Sequence, residues 1–558
     1  MLRENLKKVP FNLEDNDIAW VEKTLKEMTL EEKIGQLFCP IGISSDERVL
    51  KNSILTKHVG GIMYRPGSSE DMQKTHLFLQ NNSKVPLLIS ANLEAGGDGI
   101  ATDGTSFGKQ MQVAATADPE QAYRLGKIAC SEGGATGCNW AFAPVVDIDF
   151  NFRNPITNVR TYGDDPDRVL QMAKEYLRAA KEENVAVSIK HFPGDGVDER
   201  DQHLVTSVNT QSKDEWDATF GKVYKGLIDE GALTVMAGHI SLPAYQERDG
   251  YLPATLSVEL LQGLLREKLG FNGMVVTDAT PMVGFTSAMS RKKAVPAAIA
   301  RGCDMFLFNK DLEEDVSYMI KGYHEGILTD DRLNEAVTRI LATKASLMLH
   351  KKKKEKTLVP RTSELEKIGC KKHEEWAYEC ADQAITLVKD TQNLLPINPN
   401  VHKKVLLQIL GDFPSNDRVF IKFNEVLTQQ GFEVIEYERE DFGAPLDTVE
   451  EFKAKYDLVI YIGNIENASN KTVSRLNWYT FFGMGNNIPW FVEEVPTLFV
   501  SLANPYHLLD APMIKTYING YSNNNFVIEK VVEKLLGHSE FKGENPVDPF
   551  CGRISTTY

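Results

Sequence analysis

The stretch VAVSIKHFPGDGVDERDQHLVTSV, residues 185–208, decides the fold. It starts as a short apolar run, turns polar at Lys190-His191, and passes Pro193-Gly194 into a loop rich in Asp, Arg and His. A strand buried on both faces reads as an unbroken apolar run rather than an alternation, as in the parallel sheets of α/β proteins. Charge gathered at one end of such a strand marks a rim that carries function.

Seven further runs of this kind lie on either side: GQLFCPI (35–41), GGIMYR (60–65), PLLISANLE (86–94), NWAFAPVVDI (139–148), LTVMAGHI (233–240), GMVVTDA (273–279) and MFLFN (305–309). The intervals predict helices over 123–135, 166–184, 220–231, 257–270 and 292–302. Eight strands alternating with helices predict an α/β fold, a TIM (β/α)8 barrel assigned to residues 1–350. A long helix over 331–350 leads to KKKK (351–354), which opens a linker, 351–369. That basic run reads as a solvated connector, the sharper alternative being an anion or membrane patch. A helix over 373–390 begins a second pattern, with strands at 404–412, 432–439, 456–464 and 497–505 and helices at 418–431 and 449–456. Residues 370–558 are thus expected to form a smaller, doubly wound α/β sandwich domain.

Composition narrows the function classes. The 558 residues carry 62 Lys+Arg against 78 Asp+Glu, a formal charge of −16, which argues against general nucleic-acid affinity. A 42% apolar and 25% charged chain is not a disordered one. No apolar run approaches the ~20 residues that span a bilayer, so no membrane partner is expected. The N-terminal MLRENLKKVPFNLEDNDIAW lacks the pattern of a secretory signal, and seven cysteines without CxxC pairs outline neither a disulfide framework nor a zinc site. A cytoplasmic protein with free thiols is expected.

The polar residues just past each strand carry the chemistry. Strand 3 ends at Asn92 and Glu94; Arg160 follows strand 4; Lys190, His191, Asp201 and His203 follow strand 5. His239 follows strand 6 and Asp278 ends strand 7, with Met282 and Phe285 beyond it. A carboxylate such as Asp278 serves as a nucleophile if basic groups hold it ionised. The Asp201-x-His203 spacing suits an acid/base dyad in which the carboxylate orients the imidazole. Lys190, His191 and Arg160 are donors for a polyhydroxylated ligand, and the whole set suits glycosyl transfer through an oxocarbenium-like state. Asp147, Asp149 and Asp164-Asp165 could be taken for a metal site; salt bridges with Arg153 and Arg160 are the expected alternative, and no metal or organic cofactor is implied. Asp195 reads as an Asx turn beside glycine. Gly96-Gly97-Asp98-Gly99 lacks the spacing of a nucleotide-binding loop.

At these residues the chain resembles the N-acetyl-β-hexosaminidase branch of glycoside hydrolase family 3. The resemblance rests on K-H-F-P-G-x-G followed by D-x-H, on G-F-N-G-M-V-V-T-D and on M-T-L-E-E-K-I-G-Q-L-F, in family order across about residues 15–350. It implies a retaining double displacement with Asp278 as covalent nucleophile, His203 as acid/base and Asp201 as its partner. It also implies sugar contacts from Lys190, His191 and Arg160, with His239 at the family's A-H-x-x-x-P position and Met282 in the apolar wall under the sugar. Three departures stand out: Pro193-Gly194-Asp195-Gly196 for P-G-H-G, Asp278-Ala279 for Asp-Asp, and Asn92-Leu93-Glu94 for D-x-E. Asn92 still hydrogen-bonds but carries no charge.

The expected function is that of an exo-β-N-acetylhexosaminidase, releasing non-reducing N-acetylglucosamine from muropeptide or chitin fragments. A β-N-acetylglucosaminide phosphorylase is the second reading, because an imidazole in place of a carboxylate does not repel incoming phosphate. A sugar-binding protein on a degenerate barrel is the third, prompted by Asn92 and Ala279.

Overall fold

The computed structural model describes residues 3–411, 415–437, 446–481 and 484–558, which form two compact units. The ends of two expected strands, residue 412 and residues 438–439, lie outside the described residues.

The first unit comprises residues 1–107, 122–151 and 165–374. Its eight barrel strands are β1 (Phe38–Cys39, resumed after Pro40 as Ile41–Gly42), β2 (Gly61–Tyr64), β3 (Leu88–Ala91), β4 (Trp140–Ala141), β5 (Ala186–Phe192), β6 (Thr234–Ala237), β7 (Met274–Thr277) and β8 (Phe306–Leu307). Each of the first six runs parallel to the next, in the registers Ile41↔Met63, Gly61↔Leu88, Ser90↔Trp140, Trp140↔Ala186, Ser188↔Thr234 and Met274↔Thr234. A bridge between Val276 and Met305 joins β7 to β8, and Phe38↔Phe306 joins β8 back to β1. The ring is closed, so the barrel has no free edge. Apart from half-exposed Ile41 and Gly42, every strand residue is buried, which is why each strand reads as a plain apolar run.

The expected helices form, among them Pro119–Ala135, Pro166–Glu182 and Arg291–Arg301. The segment Glu259–Lys268 winds as a π-helix. Residues 351–354 are helical, with Lys351 and Lys354 exposed and Lys352 and Lys353 half-buried. They belong to the helix Leu349–Glu355, where Lys351 pairs with Asp17 at 2.8 Å and Lys353 donates to the Ser83 carbonyl. The chain beyond is also tied down, because buried Glu132 accepts from Gly369 N and meets His373 Nδ1 at 2.7 Å. The glycines at 96–97 serve packing: Gly96 has φ +141°, and a Cβ on Gly97 would lie 1.9 Å from Glu132 Oε2.

The second unit comprises residues 108–121, 152–164 and 375–558. Its main sheet holds β9 (Thr386–Asp390), β10 (Lys404–Gly411), β11 (Glu433–Glu436), β12 (Leu458–Asn464), β13 (Thr497–Ser501) and β14 (Thr516–Asn519), in the order β9-β14-β13-β12-β10-β11. All pairs are parallel except β9 with β14. The helix expected over 373–390 stops at Ala384, and Thr386–Asp390 is strand β9, since the run Ile385-Thr386-Leu387-Val388 favours an extended chain. Residues 108–121 and 152–164, which the sequence reading keeps within 1–350, pack in this unit. The helix Gln110–Ala115 is buried throughout, and Met111, Ala115 and Val159 share a cluster with Ala384, Tyr506, Tyr521 and Val547. Such a helix has no solvent face and needs a partner on every side.

Candidate active site

Parallel strands place all their C-terminal ends on one rim of the barrel, and Glu94, Lys190, His191 and Asp278 lie at or just past those ends. Between β5 and β6 the register shifts between Ile189 and Phe192. Such an irregularity re-aims the side chains inside it, here Lys190 and His191. The peptide bonds Lys190–His191 and Phe192–Pro193 are cis. Lys190 Nζ meets Glu94 Oε1 at 2.6 Å, with the lysine side chain 3% exposed. Asn92, just past β3, is exposed.

Asp278 follows β7, with its backbone N–H on the Ala237 carbonyl at 2.8 Å. Its Oδ1 accepts from Ala279 N at 2.6 Å, and its Oδ2 lies 3.9 Å from His191 Nε2. That last distance is too long for a hydrogen bond but short for a charge interaction. The carboxylate is 13% exposed, so Oδ2 can reach a ligand. Burial alone would raise the Asp278 pKa. The imidazoles of His191, His239 and His203 and the Ala279 N–H outweigh it and hold the carboxyl below the usual range.

His191 is fixed from behind by Asp147, which the sequence reading had assigned to a salt bridge with arginine. Asp147 Oδ2 meets His191 Nδ1 at 2.6 Å and Oδ1 accepts His191 N at 3.0 Å. Burial opposes ionisation of Asp147, but His191 and the backbone N–H groups prevail and its pKa is lowered. With Nδ1–H committed to Asp147, Nε2 is the nitrogen turned toward Asp278.

His203 meets Asp201 Oδ1 through Nδ1 at 2.7 Å, and its backbone N–H reaches the same oxygen at 2.8 Å. Asp201 is fully buried while the imidazole is 22% exposed, which leaves Nε2 for proton transfer. His239 is buried, with Nδ1 3.0 Å from Thr255 Oγ1 and Nε2 2.9 Å from the Ala279 carbonyl. A carbonyl only accepts, so Nε2 carries a proton. Burial pushes the His239 pKa down, and the ring props the backbone beside Asp278. Met282 and Phe285 are buried. Arg160 belongs to the second unit, where Nη1 donates to the Ile156 carbonyl at 3.4 Å. Among the described residues no cluster of His, Cys, Asp and Glu has the form of a metal site.

The barrel thus presents an ionised carboxylate, a carboxylate-oriented imidazole and a buried lysine at one rim. The model of the glycosyl hydrolase family 3 N-terminal domain matches residues 29–343, more than half of the chain. The chain belongs to glycoside hydrolase family 3. This family 3 enzyme is 45% identical to a β-N-acetylglucosaminidase/β-glucosidase of Cellulomonas fimi, over 99% of both chains. It is 27% identical to β-hexosaminidase A of Pseudoalteromonas piscicida, over 58% of this chain and 56% of that one. Among solved structures, the β-glucoside phosphorylase BglX bound to 2FGlc is 43% identical, with a TM-score of 0.94 over 99% of this chain and 100% of that one. A family 3 β-N-acetylglucosaminidase from Paenibacillus sp. str. FPU-7 is 24% identical, with a TM-score of 0.79 over 94% of this chain and 100% of that one. At that identity the likeness speaks for the fold, a barrel followed by a smaller α/β domain.

Proposed function

We propose that the protein is a retaining, exo-acting β-glycosidase that removes a non-reducing N-acetylglucosamine or glucose unit through a glycosyl ester on Asp278. The observation that carries this reading is the pairing of an ionised, slightly exposed Asp278 with the His203–Asp201 dyad. In the first step Asp278 Oδ2 bonds to the anomeric carbon as the glycosidic C–O bond breaks. The departing oxygen takes the proton from His203 Nε2. In the second step an acceptor oxygen attacks the same carbon, the ester bond breaks, and the carboxylate is restored. With water as acceptor, the spare proton returns to His203. Each step inverts the anomeric centre, so the product keeps the β configuration. The source of the sugar, muropeptide or chitin fragments in the cytoplasm, is part of the proposal. Seven cysteines in the thiol form fit that compartment.

A specific observation favours phosphate over water as the acceptor in the second step. The acid/base is an imidazole, which is neutral after the first step and does not repel a dianion as a carboxylate would. The C. fimi relative acts on both sugars by its name, and BglX is a β-glucoside phosphorylase; both align along nearly the whole chain. The test is incubation of the enzyme with phenyl β-N-acetylglucosaminide and phenyl β-glucoside, with and without inorganic phosphate, followed by NMR of the products. Phosphorolysis is expected to give the β-configured sugar 1-phosphate and a faster turnover with phosphate. Free sugar alone under both conditions would leave hydrolysis, and an inverted product would overturn the covalent Asp278 reading.

A further inference from the structure

The residue between the two members of the dyad is Gln202, which is 1% exposed and has no role in the chemistry described above. Its amide bridges two other strand ends. Nε2 lies 3.3 Å from Asp195 Oδ2, on the loop after β5, and Oε1 accepts from His239 N, just past β6, at 2.8 Å. The two partners fix the amide orientation, because a backbone N–H only donates and a carboxylate only accepts. Asp195 is itself anchored: its N–H reaches Asp147 Oδ1 at 2.8 Å and its Oδ1 accepts Gly196 N at 2.7 Å. Hydrogen bonds therefore run unbroken from Gln202 through Asp195 and Asp147 to His191, which faces the nucleophile. Asp195 occupies the position where the sequence departs from P-G-H-G, and its Oδ2 accepts the glutamine N–H.

The same loop is seated on the segment after β7. The His203 carbonyl accepts from Val283 N at 2.9 Å, and Thr206 Oγ1 donates to the Gly284 carbonyl at 2.8 Å. A Cβ on Gly284 would lie 2.5 Å from the Gln202 carbonyl oxygen and 2.7 Å from that of Val205. Only glycine leaves room for the loop to lie this close.

We propose that Gln202 is a positioning residue that latches the acid/base loop onto the strand ends after β5 and β6, so that His203 is held in place before substrate binds. This inference rests on the reading of His203 as the acid/base. Buried hydrogen bonds to a backbone N–H and a carboxyl oxygen hold a loop more firmly than exposed ones. The predicted consequence is a defect confined to proton donation. A leaving group that needs a proton exposes it, and one that leaves unaided does not.

The experiment compares kcat/KM for a phenyl and a 2,4-dinitrophenyl β-glycoside in wild type, Gln202→Met and His203→Ala, with thermal melting to confirm folding. Gln202→Met keeps the side-chain length and removes both bonds. It is expected to lose at least about tenfold on the phenyl donor and less than about threefold on the dinitrophenyl donor, a gap of about 0.7 kcal/mol or more in transition-state stabilisation. Gly284→Ala, which pushes the loop backbone instead of cutting its side-chain bonds, is expected to show the same selective loss and serves if Gln202→Met does not fold. Equal losses on both donors, or none on the phenyl donor, would overturn the inference. His203→Ala separates it from the reading it rests on. If that variant loses activity equally on both donors, the acid/base assignment itself falls. If it is selective and the loop variants are not, only the latch falls.

Discussion

Asp278→Gly is expected to lower kcat/KM on an aryl β-glycoside by about 10⁴-fold or more, a loss of roughly 5.4 kcal/mol in transition-state stabilisation. The size follows from the environment. The carboxylate sits among His191, His239 and His203, and their combined field keeps it charged against the cost of burial. Neither Asp147 nor Asp201 is free to stand in for it, since the first is bound to His191 and the second to His203. A diagnostic rescue accompanies the loss. The glycine leaves space for azide, and a donor with a fluoride or dinitrophenyl leaving group should then give the α-glycosyl azide by a single inversion. Full activity in Asp278→Gly, or a β-configured azide, would rule the residue out as nucleophile.

Asp304→Ala is expected to cost about 3–5 kcal/mol of stability, measured by denaturant unfolding of the whole chain. Asp304 is fully buried just before β8, with Arg266 and Arg332 each 2.7 Å away and Arg339 at 3.4 Å. It also accepts the backbone N–H of Val275 in β7 at 2.9 Å. Removing the carboxylate leaves buried guanidinium groups with less than their compensating charge, since Glu335 pairs only with Arg332 and Arg339. Arg266 already shows the strain on charge there, since burial and its arginine neighbours push its pKa down to about 9. The pH dependence follows in sign. Burial opposes ionisation of Asp304, but the three arginines overcome it and hold its folded pKa below the usual carboxylate range. The unfolded chain therefore takes up the proton first as pH falls. The stabilisation is complete above the ordinary carboxylate range and is lost as pH drops through the folded value. Between neutral pH and about pH 3, wild type should lose stability that Asp304→Ala no longer has to lose. Parallel acid limbs in the two proteins would contradict this.

The barrel was legible because its strands are buried on both faces and their apolar runs are uninterrupted. Two strands of the second unit escaped notice for opposite reasons. Thr386–Asp390 is only partly buried and joins a helix without a break in composition, and Thr516–Asn519 is fully buried yet too short to stand out as a run. At the rim, Asp278, Asp201 and His203 could be read because strand end and loop are continuous in sequence. Asp147 and Gln202 could not. Asp147 finds His191 across 44 residues and Gln202 finds His239 across 37, and only barrel closure creates such neighbours. The one local signal for Asp147 is its place at the end of the fourth apolar run.

The helix Gln110–Ala115 and the stretch 152–164 have a consequence for how the chain is made. A ribosome delivers both before the second half of the barrel exists, and their packing partners Ala384, Tyr506, Tyr521 and Val547 come only after the last barrel strand. Until then the nascent chain carries Met111, Ala115 and Val159 without the cluster that buries them. Because the second unit is assembled from three separate lengths of chain, no single cut releases it whole. A shuffled or truncated version would have to carry the two early pieces along with the last 184 residues (375–558).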